Sequence, residues 1–260
     1  MICRFLLLCC CLTPLVVDAD ALAPVPIRPF TVAERLAHDP SLFTQGMVIQ
    51  HGQLYESGGN YGRSRLSVRG LTRPEPTMGR RLPARWFAEG ITIHNNQLWM
   101  ITWREGIAVS VLLPSLEPAA QFRYRGEGWG LTSDGQSLIM SDGSARLAWR
   151  NPADFSVTRT LDVLADGQPV TQLNELEWVN GWILANVWQT PWIVGISPDS
   201  GQVAFKLSTA GLLSDKEAKT ADVPNGIAYD ADRDALYLSG KLWPWMFRID
   251  HASALIPPAS

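Results

Sequence analysis

Gln45, Glu89, Trp129, Glu175 and Asn225 recur at near-regular intervals, each immediately before a small or apolar residue: Gly46, Gly90, Gly130, Leu176 and Gly226. Asn174 lies beside Glu175. Brought to one point, these side chains would gather one or two carboxylates, two or three carboxamides and an indole. A carboxyl group among aromatic side chains there can relay a proton, and an indole can wall a pocket. A second set, Trp103, Trp188 and Lys241, follows Leu98, Leu184 and Leu236 by four or five residues.

What would bring them together is an internal repeat. Five segments align: FTQGMVIQHGQLYES from Phe43, FAEGITIHNNQLWMI from Phe87, EGWGLTSDGQSLIMS from Glu127, LNELEWVNGWILANV from Leu173 and VPNGIAYDADRDALYLS from Val223. Each reads as a short strand, a polar turn and a second strand opened by a leucine. The turn is longer in the fifth copy, at Asp232-Arg233. The copies begin 44, 40, 46 and 50 residues apart, the length of one four-stranded propeller blade. The expected fold is therefore all-β, a five-bladed β-propeller. Its innermost strands would line one channel, so that equivalent repeat positions become neighbours. Pro24 to Val32 is a candidate for the strand that closes the ring, and Leu212 to Thr220 for a short helix or an exposed inter-blade loop.

Each candidate has a structural alternative. Glu89 lies in Arg85-Trp86-Phe87-Ala88-Glu89-Gly90, where aromatic surroundings would raise its pKa into the range useful for proton transfer, or where it pairs with Arg85. Lys241 either snorkels out of a strand or is held in the channel. Trp103, Trp129 and Trp188 either wall a pocket or pack between blades.

Composition narrows the chemistry. The chain has 260 residues, 46% hydrophobic and 18% charged, an ordinary globular balance rather than a disordered one. A net charge of -3 gives no basic footprint, so neither nucleic acid nor an anionic membrane is expected as a partner. Met1 to Ala21 reads as a secretory signal peptide, with Arg4, an apolar stretch from Phe5 to Val17 and an Ala19-Asp20-Ala21 cleavage site; the apolar stretch is short for a membrane anchor. A secreted or periplasmic protein is expected, residues 22–260 forming a single catalytic propeller and a monomer. Cys3, Cys9, Cys10 and Cys11 all lie in the leader, so the mature chain would carry no disulfide, thiol nucleophile or cysteine ligand. His38, His51, His94 and His251 show no ligand spacing, and no metal site is expected among the catalytic residues. Trp178 to Ile196 carries no formal charge, but Asn180, Gly181, Asn186, Gln189, Thr190 and Pro191 interrupt it, unlike a membrane span.

The ordered motifs Phe43-Thr44-Gln45-Gly46, Phe87-Ala88-Glu89-Gly90, Gly126-Glu127-Gly128-Trp129-Gly130-Leu131, Leu173-Asn174-Glu175-Leu176-Glu177-Trp178, Asn186-Val187-Trp188 and Gly240-Lys241-Leu242-Trp243-Pro244 resemble the glutamine cyclotransferase family, from about Phe43 to Ile249. The resemblance implies a five-bladed propeller that converts the N-terminal glutamine of a peptide or protein to pyroglutamate with release of ammonia. It places the acid/base on Glu89, the amide and lysine partners on Gln45, Asn174 and Lys241, and the pocket aromatics on Phe43, Phe87, Trp103, Trp129 and Trp188. No cofactor is required for that reaction, although a structural divalent cation in the channel is compatible with it. Pro191 departs from the pattern, standing where an aspartate often follows Asn-Val-Trp. Residues after the glutamine are expected to matter little, since they would extend out of the channel mouth. A rival reading is a metal-dependent propeller lactonase, with Glu89, Asn174, Asn225 and Glu175 around a cation; another is a non-catalytic propeller that binds peptides or glycans through its tryptophans.

Overall fold

A computed structural model describes residues 22–73 and 75–259. The expected signal peptide lies outside the described residues. Among the described residues no helix is long and apolar enough to cross a membrane.

Five antiparallel four-stranded sheets follow one another along the chain, each formed from consecutive strands apart from the last. Their innermost strands are Thr44–Gln50, Ala88–His94, Leu131–Ser133, Leu173–Val179 and Pro224–Asp230. These match the five repeats, and the sheets are here numbered blades 1 to 5. The turns after three of them, His51-Gly52, Asn95-Asn96 and Asn180-Gly181, have positive φ at both central residues, the conformation that suits a tight hairpin.

The inner strands of each sheet are covered on both faces and are apolar on both sides, whereas outer strands such as Glu117–Arg123 and Val157–Asp162 are largely exposed. Consecutive residues therefore enter different cores. In blade 2, Leu98 and Met100 pack with Leu66 and Val68 of blade 1, whereas Trp99 and Ile101 pack with Leu138 and Met140 of blade 3. In blade 4, Ile183 and Ala185 face blade 3 while Leu184 faces Leu236 and Leu238 of blade 5. Ala235 and Tyr237 of blade 5 complete the circle against Met47 and Leu54 of blade 1. This two-faced burial explains the uncharged run at Trp178 to Ile196, which forms hairpin strands of blade 4.

The ring is closed by Glu34–Ala37, which pairs antiparallel with Trp245–Asp250 and becomes the outer strand of blade 5. The closing strand thus begins after the segment expected from the sequence. Pro24, Pro26 and Pro29 remove backbone donors from that earlier segment, which instead runs beside blade 4 through a single bridge, Ile27 to Lys206. A buried network latches the closure. His38 Nδ1 faces the Trp243 carbonyl at 2.8 Å and His38 Nε2 faces Glu56 Oε1 at 2.7 Å, while Arg69 Nε donates to Glu56 Oε2 at 2.9 Å. The segment from Leu212 to Thr220 contains a one-turn helix, Asp215–Ala218, capped by Ser214.

Candidate active site

Four innermost strands break register at the same place. The ladder skips between Thr44 and Gly46, Ala88 and Ile91, Leu173 and Leu176, and Pro224 and Ile227. Such a bulge re-aims side chains that a regular strand would direct into a sheet-sheet core. The bulged residues are Gln45, Glu89, Asn174 and Asn225; Trp129 holds the corresponding place just before the short strand of blade 3.

This register corrects the fourth repeat. Gln45, Glu89 and Asn174 each stand six residues before their turns at His51, Asn95 and Asn180, so Asn174, not Glu175, is the equivalent of Glu89. Glu175 takes the position held by glycine in the other copies. Those glycines exist because the inner strands nearly touch: a Cβ on Gly90 would meet the Leu131 amide and come within 2.6 Å of the Gly130 carbonyl carbon. In blade 4 the place is filled by a carboxyl that bridges instead. Glu175 Oε1 accepts from Met47 N at 3.3 Å and Oε2 from Ile227 N at 2.9 Å, joining blade 4 to blades 1 and 5. Glu177, two residues on, accepts from Tyr229 N at 2.8 Å. Burial raises both carboxyls, Glu177 to about 8, and Glu175 is raised further by Glu177. Both oxygens of Glu175 are therefore engaged by main-chain amides, and Asn225 Nδ2 donates to the Thr44 carbonyl and to Gln45 Oε1. Of the four residues of the lactonase reading, Glu175 thus has both oxygens committed to the main chain, whereas Asn174 Oδ1 and Asn225 Oδ1 have no hydrogen-bond partner among the described residues.

The nine residues singled out from the sequence, Phe43, Gln45, Phe87, Glu89, Trp103, Trp129, Asn174, Trp188 and Lys241, line one cavity of about 330 Å³. Trp103, Trp188 and Lys241 share a repeat position, directly after Thr102, Val187 and Gly240 at the ends of the second strands. Asn60, Gln189, Asp222 and Val223 complete the lining and were not anticipated. Asn60 and Gln189 are one place further along the same repeat register and were legible there. Val223 opens the fifth repeat in the place of Phe43 and Phe87 and was legible there, its carbonyl accepting from Lys241 N as the Phe87 carbonyl accepts from Trp103 N; Asp222 precedes the repeat, in the blade 4 to blade 5 connection, and has no counterpart.

Glu89 is the buried acid of this cavity. Its Oε1 accepts from Gln45 Nε2 at 3.2 Å, and Gln45 Oε1 accepts from Asn225 at 3.1 Å, so the Gln45 amide is oriented from behind. Oε2 of Glu89 has no hydrogen-bond partner among the described residues. The Glu89 carbonyl is held by the Ser57 hydroxyl of blade 1 at 2.6 Å, and the Asn174 carbonyl by the Ser141 hydroxyl of blade 3 at 2.7 Å. Burial raises the Glu89 pKa well above the usual carboxylate range; Lys241 opposes this, and Glu127 and Glu105 add to it. No ion pair links it to Arg85 among the described residues.

Lys241 is held by its main chain, its N–H donating to the Val223 carbonyl and its carbonyl accepting from Asp222 N. Its ammonium lies 4.9 Å from the Phe43 ring centroid, with no hydrogen-bond acceptor among the described residues. Burial lowers its pKa, with Glu89 and Asp222 opposing. The aromatic walls meet edge-on: Phe87 to Trp103 at 5.4 Å, Phe43 to Phe87 at 6.3 Å, and Trp129 to Trp188 at 5.6 Å between centroids. Glu127, seen in the sequence only as part of a motif, organises two of them. Its Oε2 accepts from both indoles, Trp103 Nε1 at 2.8 Å and Trp129 Nε1 at 3.0 Å, and its Oε1 accepts from Arg104 at 3.0 Å.

Comparison with known proteins places the chain in a family and agrees with the fold. The sequence matches the glutamine cyclotransferase family over residues 5–251. It is 34% identical over 229 residues to a glutaminyl-peptide cyclotransferase of Arabidopsis thaliana, covering 86% of this chain and 71% of the plant protein. The crystal structure of Myxococcus xanthus glutaminyl cyclase superposes with a TM-score of 0.78 at 32% identity, covering 86% of this chain and 97% of that one. A family match over nearly the whole chain and a fold shared with a solved glutaminyl cyclase lead to one conclusion: the chain belongs to the glutamine cyclotransferase family.

Proposed function

We propose that this chain is a glutaminyl-peptide cyclotransferase, closing the N-terminal glutamine of a peptide or protein to pyroglutamate, and that Glu89 carries the proton. The reaction joins the α-nitrogen to the γ-carboxamide carbon and breaks the bond from that carbon to the amide nitrogen. The neutral α-amine attacks; as the new bond forms, the nitrogen passes a proton to the Glu89 carboxylate. Glu89 returns the proton to the amide nitrogen, which leaves as ammonia, so atoms and charge balance without an added reactant.

The observation that carries this reading is the single buried carboxyl with a free Oε2 in an aromatic cavity. Burial raises its pKa well above the usual carboxylate range, which makes the carboxylate a better proton acceptor from the attacking amine than an exposed one would be. Lys241 and Asn174 are assigned to the amide oxygen, where negative charge develops, and the aromatic walls fold the side chain onto its own amine. Ring closure within one molecule has the entropic advantage of an intramolecular attack, so the reading calls on no metal or cofactor. A secreted or periplasmic monomer remains the expected setting.

The test is ammonia release and loss of mass from Gln-Ala, acetyl-Gln-Ala and Glu-Ala, with and without chelator. Turnover of Gln-Ala alone, insensitive to chelator, is the expected result. Turnover of the acetylated peptide would contradict attack by the α-amine, and loss of activity on chelation would favour the metal-dependent hydrolase.

A further inference from the structure

Beside the cavity mouth, Arg63, Arg65 and Arg81 converge with Ser41 and Gly62 on a second cleft of about 380 Å³. Asp39 neutralises Arg65, at 2.7 Å, and is itself held by the Ser41 hydroxyl and amide. The guanidinium groups of Arg63 and Arg81 have no acceptor or ion-pair partner among the described residues. Two uncompensated cations thus share a cleft in a chain whose net charge is -3.

The loop that carries this cleft also carries the cavity wall. Asn60 lines the cavity and Gly62 the cleft, so their Cα atoms lie at most about 7 Å apart. The loop is fixed at both ends: Gly59 N donates to the Phe43 carbonyl at 2.8 Å, Gly62 N to Ala84 O at 2.9 Å, and Ala88 N to the Ser64 hydroxyl at 3.0 Å. Between the two sites, Tyr61 is half exposed, with its ring edge against Phe87. An extended peptide advances about 3.3 Å per residue. With its first residue in the cavity, a peptide crossing Tyr61 reaches the arginines with its third to fifth residues.

We propose that the Arg63–Arg81 cleft is a substrate subsite for an acidic side chain three to five residues into the peptide. The channel mouth is then not neutral on this side, and the enzyme favours Gln peptides with a downstream Asp or Glu. This rests on the cyclotransferase reading. Rates are measured by ammonia release on the full chain with C-terminally amidated Gln-Ala-Gly-Gly-Gly and its versions carrying Glu or Lys at position 3, 4 or 5. Gln-Ala-amide is the control. At low salt, at least one Glu peptide is expected to show about fivefold higher kcat/KM than the neutral peptide, through KM, with the Lys counterpart below it. The advantage falls to within twofold at 0.5 M salt and in the Arg63→Gln/Arg81→Gln double variant, which turns over Gln-Ala-amide at the wild-type rate. Equal rates for Glu and neutral peptides in the wild type, or an advantage that survives in the double variant, overturn the subsite while leaving cyclisation intact. No ammonia from any Gln peptide, the dipeptide included, overturns the cyclotransferase reading and the subsite with it.

Discussion

Replacing Glu127 separates two effects that the structure places on one carboxylate. Its Oε2 is the shared acceptor for the Trp103 and Trp129 indoles, and its charge is one of the causes that raise Glu89. In Glu127→Ala both bonds go. A hydrogen bond to a charged group contributes about 1.5–3 kcal/mol, and the 37% exposure of this side chain favours the lower figure. Two such bonds set a ceiling of about 3 kcal/mol, roughly 150-fold in kcat/KM, and solvent replacing the lost acceptor brings the expected loss to about tenfold. Glu127→Gln keeps an oxygen for the indoles but removes the charge. Its plateau kcat/KM is expected within about threefold of wild type, while the acidic limb of the pH profile moves to lower pH, because a group that raised Glu89 is gone. The assay is ammonia release from a Gln dipeptide between pH 5 and 10, with tryptophan fluorescence as a readout independent of activity. A Glu127→Ala protein within twofold of wild type, with an unchanged emission spectrum, would refute the claim that this carboxylate positions the walls.

Lys241→Ala should lower kcat by about 10²-fold while moving KM little, since its ammonium is assigned to charge present only in the transition state; a defect in KM alone would reassign it to docking. Gly90→Ala must push apart the main chains of two blades beside Glu89, and should cost about 1–3 kcal/mol of stability together with activity; an unchanged melting temperature would show that the inner strands yield freely. Glu56, though its burial acts to raise it, is held down from 4.5 to about 2 by His38 and Arg69. A carboxylate depressed in the folded state stabilises above its unfolded pKa, so about 3 kcal/mol should be lost as pH falls from about 4.5 to about 2. Urea unfolding across that window should show a smaller pH dependence in Glu56→Gln, whose neutral-pH stability is also lower by about 3–5 kcal/mol because Arg69 is left unpaired.

The repeat exposed the blades because the inner strands of each sheet must bury both faces, and the strand-turn-strand pattern survives wherever the turn length does. It slipped in the fourth copy, where Leu176 was matched to glycine. The turn at Asn180-Gly181, and not the second-strand leucine, fixes the register there. The closing strand was misplaced because edge pairing depends on free N–H donors, which the prolines of the earlier segment lack. Residues that reach the cavity through equivalent positions were legible as two sets, Gln45 with Glu89 and Trp129, and Trp103 with Trp188 and Lys241, whereas Asn174 stood only beside the first. Asp222 was not legible, since a blade-to-blade connection has no copy to compare. Nor was the role of Glu127, because a side chain that serves two indoles is recognisable only when both are seen to turn toward it.

The central claim is that Glu89 carries the proton between the attacking amine and the departing amide nitrogen. Glu89→Gln keeps the volume and the contact with Gln45 but cannot make that transfer. Measured by ammonia release from Gln-Ala at the pH optimum, on protein shown by circular dichroism and thermal melting to be folded, its kcat should fall by at least about 10²-fold. A Glu89→Gln enzyme that retains kcat within about tenfold of wild type would contradict the account.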